Sequence, residues 1–79
     1  MGNPDFAVEV DACGLVCPLP LLRTKKALQA LESGQVVKVI TTDKNAVGDF
    51  QAFAKQTGHL ILSQDSVDNE HIVHFIQKR

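Results

Sequence analysis

Two stretches of helical periodicity, each closed by a glycine, alternate with four runs rich in apolar and β-branched residues, and this order sharply limits the folds open to the chain. The segment Phe6-Ala7-Val8-Glu9-Val10 alternates and predicts a strand with Phe6, Val8 and Val10 on one face. Asp11 to Val16 is then a connection. Cys17-Pro18 opens a helix running to about Glu32. Pro18 suits the first helical position, where its missing N–H costs nothing and its φ is already helical. Leu21, Thr24, Ala27, Leu28 and Leu31 recur at three- and four-residue spacing and form the apolar face of that helix, which Gly34 stops. Val36 to Thr42 reads as a second strand. Asp43 or Asn45 can cap a second helix with Ala46, Phe50, Phe53, Ala54 and Thr57 inward; Gly48 weakens it and Gly58 ends it. Leu60 to Ser63 is a third strand, Asp65 to Asn69 a turn, and His71 to Gln77 a fourth strand.

The expected fold is therefore α/β: a two-layer βαβαββ sandwich, one domain over residues 1–79, with a four-stranded mixed sheet and both helices packed on one face. The other sheet face would meet solvent or a partner. Ile72, His74 and Ile76 share one face of the last strand, and Val73 and Phe75 share the other. Neither set is polar, so the open face would be rather apolar and leaves room for weak self-association. The simpler expectation, which we favour, is that loops partly cover one set.

Eight basic and nine acidic residues give a net charge of -1. That balance argues against a general nucleic-acid binder, which carries a basic footprint, and against an electrostatic membrane anchor. No stretch is long and apolar enough to span a bilayer. Met1-Gly2-Asn3-Pro4-Asp5 lacks the basic and apolar regions of a signal peptide, so a cytoplasmic location is expected. There the two cysteines, Cys13 and Cys17, would be reduced thiols whose value is their reactivity.

Cys17 sits at the expected start of the first helix, and a helix N-terminus stabilises thiolate. Pro18 and Pro20 have no N–H, so the sulfur is left mainly with the N–H of Leu19, with that of Leu21 behind it. The thiol should be activated, though less than at a helix start with its full set of donors. This suits a group that must accept and then release sulfur, because a deeply stabilised thiolate is a poor nucleophile. Cysteine is also a poor cap beside Ser, Thr, Asp or Asn, so its place here asks for a chemical reason; the bland alternative is a buried, inert cysteine. Arg23, Lys25 and Lys26 add positive potential nearby, or form a solvated helix face. Leu19 and Leu22 fall off the core stripe beside Lys26, as a docking patch or as ordinary surface leucines.

The pattern Asp11-x-x-Gly14-x-x-Cys17-Pro18-x-Pro20 resembles the signature of the TusA/SirA-like sulfur carrier family. The likeness runs on through Leu21 to Leu28, Thr42-Asp43, Asp49 and Gly58-His59-Leu60, nearly the whole chain. It implies that Cys17 takes sulfane sulfur as a persulfide from a cysteine desulfurase or rhodanese-like donor. The sulfur then passes to an acceptor protein in tRNA thiolation, cofactor synthesis or sulfur metabolism. The resemblance implies a carrier rather than an independent turnover enzyme. Pro18 and Pro20 carry over as helix-start prolines, and Asp11 and Gly14 as residues that shape the loop before the thiol. No cofactor or metal, no direct nucleic-acid contact and a monomer are expected.

Cys13 lies outside that signature. It could resolve a persulfide by forming a disulfide with Cys17, or be a small buried residue, the reading we favour. A thioredoxin-type dithiol would need Cys-x-x-Cys, where this chain has Cys-x-x-x-Cys. A rhodanese-like loop of converging amides is incompatible with two prolines after the cysteine. His71 and His74 are three apart on an expected strand and point to opposite faces, and His59 lies elsewhere, so no zinc pattern forms. The three histidines read as surface or sheet residues. A regulatory or RNA-binding module is the remaining alternative, disfavoured by four Phe as the whole aromatic content and by the absence of basic excess.

Overall fold

The computed structural model describes residues 5–16 and 19–79; the expectations placed on Cys17 and Pro18 lie outside the described residues. The element order is β1 (Val8–Ala12), α1 (Leu19–Gln29), β2 (Val36–Thr41), α2 (Ala46–Thr57), β3 (Leu60–Ser66) and β4 (Ile72–Gln77). The four strands form one sheet in the order β1-β2-β4-β3. β1 runs parallel to β2, which requires a crossover, and α1 supplies it. β4 is antiparallel to both β2 and β3. The sheet is therefore mixed, as expected.

Both helices pack on one face. Val37, Val39, Ala12 and Ile76 from the sheet meet Leu28 of α1 and Ala46 and Phe50 of α2 in one buried cluster. Truncating Phe50, which is fully buried, to alanine would cost roughly 3–5 kcal/mol. The helix periodicity was informative here: Leu28 and Thr24 are buried, and Leu21, Ala27 and Leu31 pack at the margin.

Several boundaries differ from expectation. β1 begins at Val8 and continues to Ala12, because Ala12 is fully buried in the core and pairs with Thr41 of β2. Phe6 does not share the face of Val8 and Val10. The chain bends at Ala7, and the Phe6 ring lies 6.2 Å from Phe75 on the opposite side of the sheet. α1 ends at Gln29, not near Glu32, in a tightened last turn where Ala30 N–H donates to Ala27 O and Leu31 N–H to Leu28 O. Asn45 makes no side-chain cap at α2. Asp43 does the work instead: its carboxylate accepts the Asn45 N–H at 3.0 Å and its carbonyl accepts the Ala46 N–H at 3.0 Å. Gly58, at φ 85°, closes α2 with its N–H on Ala54 O. β3 runs to Ser66, through a bulge between Ile61 and Ser63, so the expected turn starts two residues too early. His71 precedes β4 and does not belong to it.

The open sheet face carries a second, smaller cluster of Val36, Val73 and Phe75 with Ile40. Phe6 leans over it, and Lys38 Nζ sits 5.2 Å above the Phe6 ring. The face is thus partly covered from within the chain. His74, read as a surface or ordinary sheet residue, is fully buried on the helix side. Its ring lies 4.6 Å from that of Phe50. Its Nε2 is 2.9 Å from Thr41 Oγ1, and its Nδ1 is 3.0 Å from Gln64 Nε2. Since the amide can only donate, Nδ1 accepts and Nε2–H donates to Thr41. Gln64 in turn donates to Val47 O and accepts from Gln51. Burial without a counter-charge lowers the His74 pKa from 6.5 to about 4.

Candidate functional site

The parallel strands β1 and β2 end side by side, with Ala12 opposite Thr41, and the connection toward Cys17 leaves from that end of the sheet. Two side chains fix the connection. Asp11 Oδ1 accepts the Cys13 N–H at 3.0 Å, a local turn typical of aspartate. Gly14 takes φ 78°, a conformation a side chain would strain, and its N–H donates to Thr42 Oγ1 at 2.8 Å. Leu15 N–H then closes on Ala12 O at 3.2 Å. The chain is therefore anchored both to its own strand and to the neighbouring one before it reaches Cys17. Thr42 was not singled out as a site residue in the sequence. The available signals were its place at the end of the expected second strand and in the Thr42-Asp43 pair of the family likeness, but its partner lies 28 residues away.

The expected donor to the Cys17 sulfur is otherwise engaged. Leu19 N–H donates to Val16 O at 3.0 Å. A backbone carbonyl lies within reach of this N–H, so the argument that the prolines leave it for sulfur does not hold. Pro20 is buried, and with Leu21 it faces Ala46, Asp49 and Phe50 across a crevice with no room for water. Thr24 Oγ1 donates back to Pro20 O at 2.8 Å. Pro20 thus joins the starts of the two helices. Asp49 Oδ2 is buried there without a hydrogen-bond partner among the described residues.

Around this point the surface is apolar on one side and charged on the other. Val16, Leu19 and Leu22 are 66%, 45% and 55% exposed. Arg23 and Lys26 are exposed and line a groove with Glu9, Val10, Asp11 and Ala27.

Cys13 is exposed, contrary to the expectation of a small buried residue, because the Asp11 turn holds the chain at the surface. Its thiol pKa is nevertheless raised, first by partial desolvation, then by its hydrogen bond to Asp11 and the charges of Asp11 and Asp68. The Cys13 N–H holds the Asp11 carboxyl below its ordinary range, with the thiol, Arg23 and His71 adding to the effect. Asp68 accepts the N–H groups of Glu70 and His71 and lies 2.9 Å from His71 Nδ1. Among the described residues no group of His, Cys, Asp and Glu side chains could hold a metal ion. No described helix is long and apolar enough to cross a membrane.

This architecture is shared with known proteins. The crystal structure of a SirA-like protein from Desulfitobacterium hafniense superposes with a TM-score of 0.80 at 33% identity, covering 90% of this chain and 96% of that one. The sulfur carrier protein TusA of Allochromatium vinosum is 52% identical over 75 residues, 95% of this chain and 96% of that protein. The family model described as sulfurtransferase TusA matches residues 8–78. On these matches the chain belongs to the TusA family of sulfur carriers.

Proposed function

We propose that the protein carries sulfur as a persulfide on Cys17. The thiolate of Cys17 attacks the terminal sulfur of a donor persulfide, the donor leaves as thiolate, and Cys17 becomes a persulfide. A thiolate on the acceptor then attacks that terminal sulfur and returns Cys17 to its starting state. No net oxidation occurs in either step. The donor is a cysteine desulfurase or a rhodanese-like protein, and the acceptor is a protein of tRNA thiolation, cofactor synthesis or sulfur metabolism. The cytoplasm, where thiols are kept reduced, is the fitting location.

The observation that carries this reading is the anchored approach to Cys17, with Asp11 holding Cys13 N–H and Thr42 holding Gly14 N–H. Such a loop holds the chain in place up to Val16, ahead of the reactive residue. Asp11 and Gly14 are its shaping residues, and Pro18 and Pro20 set the helix start. Val16, Leu19 and Leu22, with Arg23 and Lys26 beside them, form the docking surface for the larger donor and acceptor proteins. Cys13 is a bystander in this scheme, since its raised pKa leaves little thiolate at neutral pH. After incubation with a rhodanese and thiosulfate, and removal of both, cyanide should release thiocyanate from the wild-type chain and none from Cys17→Ser. Equal release from both would remove Cys17 from the reaction.

A further inference from the structure

β1 is an edge strand: it pairs with β2 on one side only. Ala7 N–H points to β2, where Val36 O accepts it at 2.7 Å. Val36 and Lys38 face β1, and Val8 lies opposite Val37 between them, so Val8 and Val10 bond to β2. Backbone direction alternates along a strand, and the N–H and C=O groups of Glu9 and Asp11 point away from the sheet. They border a groove of about 690 Å³ between the β1 edge and α1. Its charges are sorted by face. Arg23 and Lys26 lie on the helix side of the groove above Val10 and Ala27, and Glu9 and Asp11 border it along the strand. Glu9 and Asp11 alternate with core-facing Val8 and Val10, so their side chains leave β1 toward the other face, where Glu9 lies 3.7 Å from Lys38. Neither Arg23 nor Lys26 is in an ion pair among the described residues.

We propose that this edge accepts an extended segment of a partner protein as a fifth strand. The segment would carry acidic side chains toward the helix and basic ones toward the open face, alternating along its length. Main-chain hydrogen bonds would supply affinity and the alternation specificity. β1 is five residues long and sets the length of the segment. A second copy of the chain is a poor occupant. Antiparallel pairing of two β1 edges would set Glu9 and Asp11 against the same acids of the copy, and Arg23 and Lys26 against the same bases. The proposal does not rest on the chemistry of Cys17.

The test uses the full-length protein labelled with ¹⁵N, kept reduced, and titrated with the peptide acetyl-Lys-Glu-Lys-Val-Lys-Glu-Lys-amide. We expect saturable shifts and slowed exchange at the Glu9 and Asp11 amides. The double variant Arg23→Glu, Lys26→Glu should weaken binding by about tenfold, as replacement of two exposed attractive charge contacts by repulsive ones implies. The peptide with Lys and Glu exchanged should bind wild type more weakly by a similar factor. Absence of saturable change at Glu9 and Asp11 would overturn the proposal and leave the charges as guards of a bare edge. So would equal binding of both peptides, or protection of Glu9 and Asp11 that grows with protein concentration without peptide. No sulfur moves in this experiment, so its failure leaves the reading of Cys17 untouched.

Discussion

The Gly14 N–H donates to Thr42 Oγ1 at 2.8 Å, joining the loop after β1 to the end of the parallel strand beside it. This bond spans 28 positions of sequence, and Gly14 precedes Cys17 by three. Thr42→Val keeps the shape and removes the acceptor. It should cost about 1 kcal/mol in denaturant unfolding and slow sulfur transfer, because the loop before the thiol loses its tie. Transfer at the wild-type rate in a variant with the expected stability loss would show that the tie serves folding alone.

His74 makes stability depend on acid. Its pKa in the folded chain is depressed from 6.5 to about 4, so the unfolded chain binds the proton first. The neutral ring's contribution is complete above pH 6.5 and is lost as pH falls from 6.5 toward 4. At full size it amounts to about 3 kcal/mol. Unfolding free energy measured across this window should fall with pH in wild type. His74→Phe, less stable at pH 7 for want of the Thr41 and Gln64 hydrogen bonds, should show a shallower slope. An unchanged slope would place the acid sensitivity elsewhere.

Cys13 should react slowly despite its exposure. In a Cys17→Ser background, alkylation of Cys13 at neutral pH should be slower than that of a free cysteine. Asp11→Asn should accelerate it, because the Asp11 carboxylate helps hold the thiol protonated. Cys13→Ser should load and deliver sulfur like wild type. Loss of delivery in that variant would restore Cys13 as a resolving thiol.

Leu22 is 55% exposed and off the core, so Leu22→Ser should change stability by less than about 0.5 kcal/mol. If Leu22 docks partners, the same change should raise the KM for loading by a donor enzyme several-fold while leaving release by cyanide unaffected. Wild-type loading kinetics would remove Leu22 from the docking surface.

The helices, the sheet and the order of elements were legible because their signals are local. Leu21, Thr24 and Leu28 repeat at helical spacing, and Val37, Val39 and Thr41 alternate on a strand. What the sequence hid was long-range. The side on which Phe6 lands depends on a bend at Ala7 and on Phe75, far along the chain. Burial of His74 depends on Thr41 and Gln64 arriving from two other strands to satisfy its nitrogens. The hydrogen bond of Leu19 N–H to Val16 O is local, yet it joins two backbone groups and no side chain marks it in the sequence. Asp11 and Gly14 stood out by spacing, whereas Thr42, their counterpart across the sheet, did not.

The most direct test of the central claim is the intact mass of the protein after incubation with a cysteine desulfurase and cysteine, taken without reductant beside a Cys17→Ser control. The account predicts a gain of one sulfur, reversed by reductant and absent from the control. Loss of two hydrogens in place of that gain, marking a Cys13–Cys17 disulfide, would contradict it, as would a sulfur gained equally by the Cys17→Ser chain.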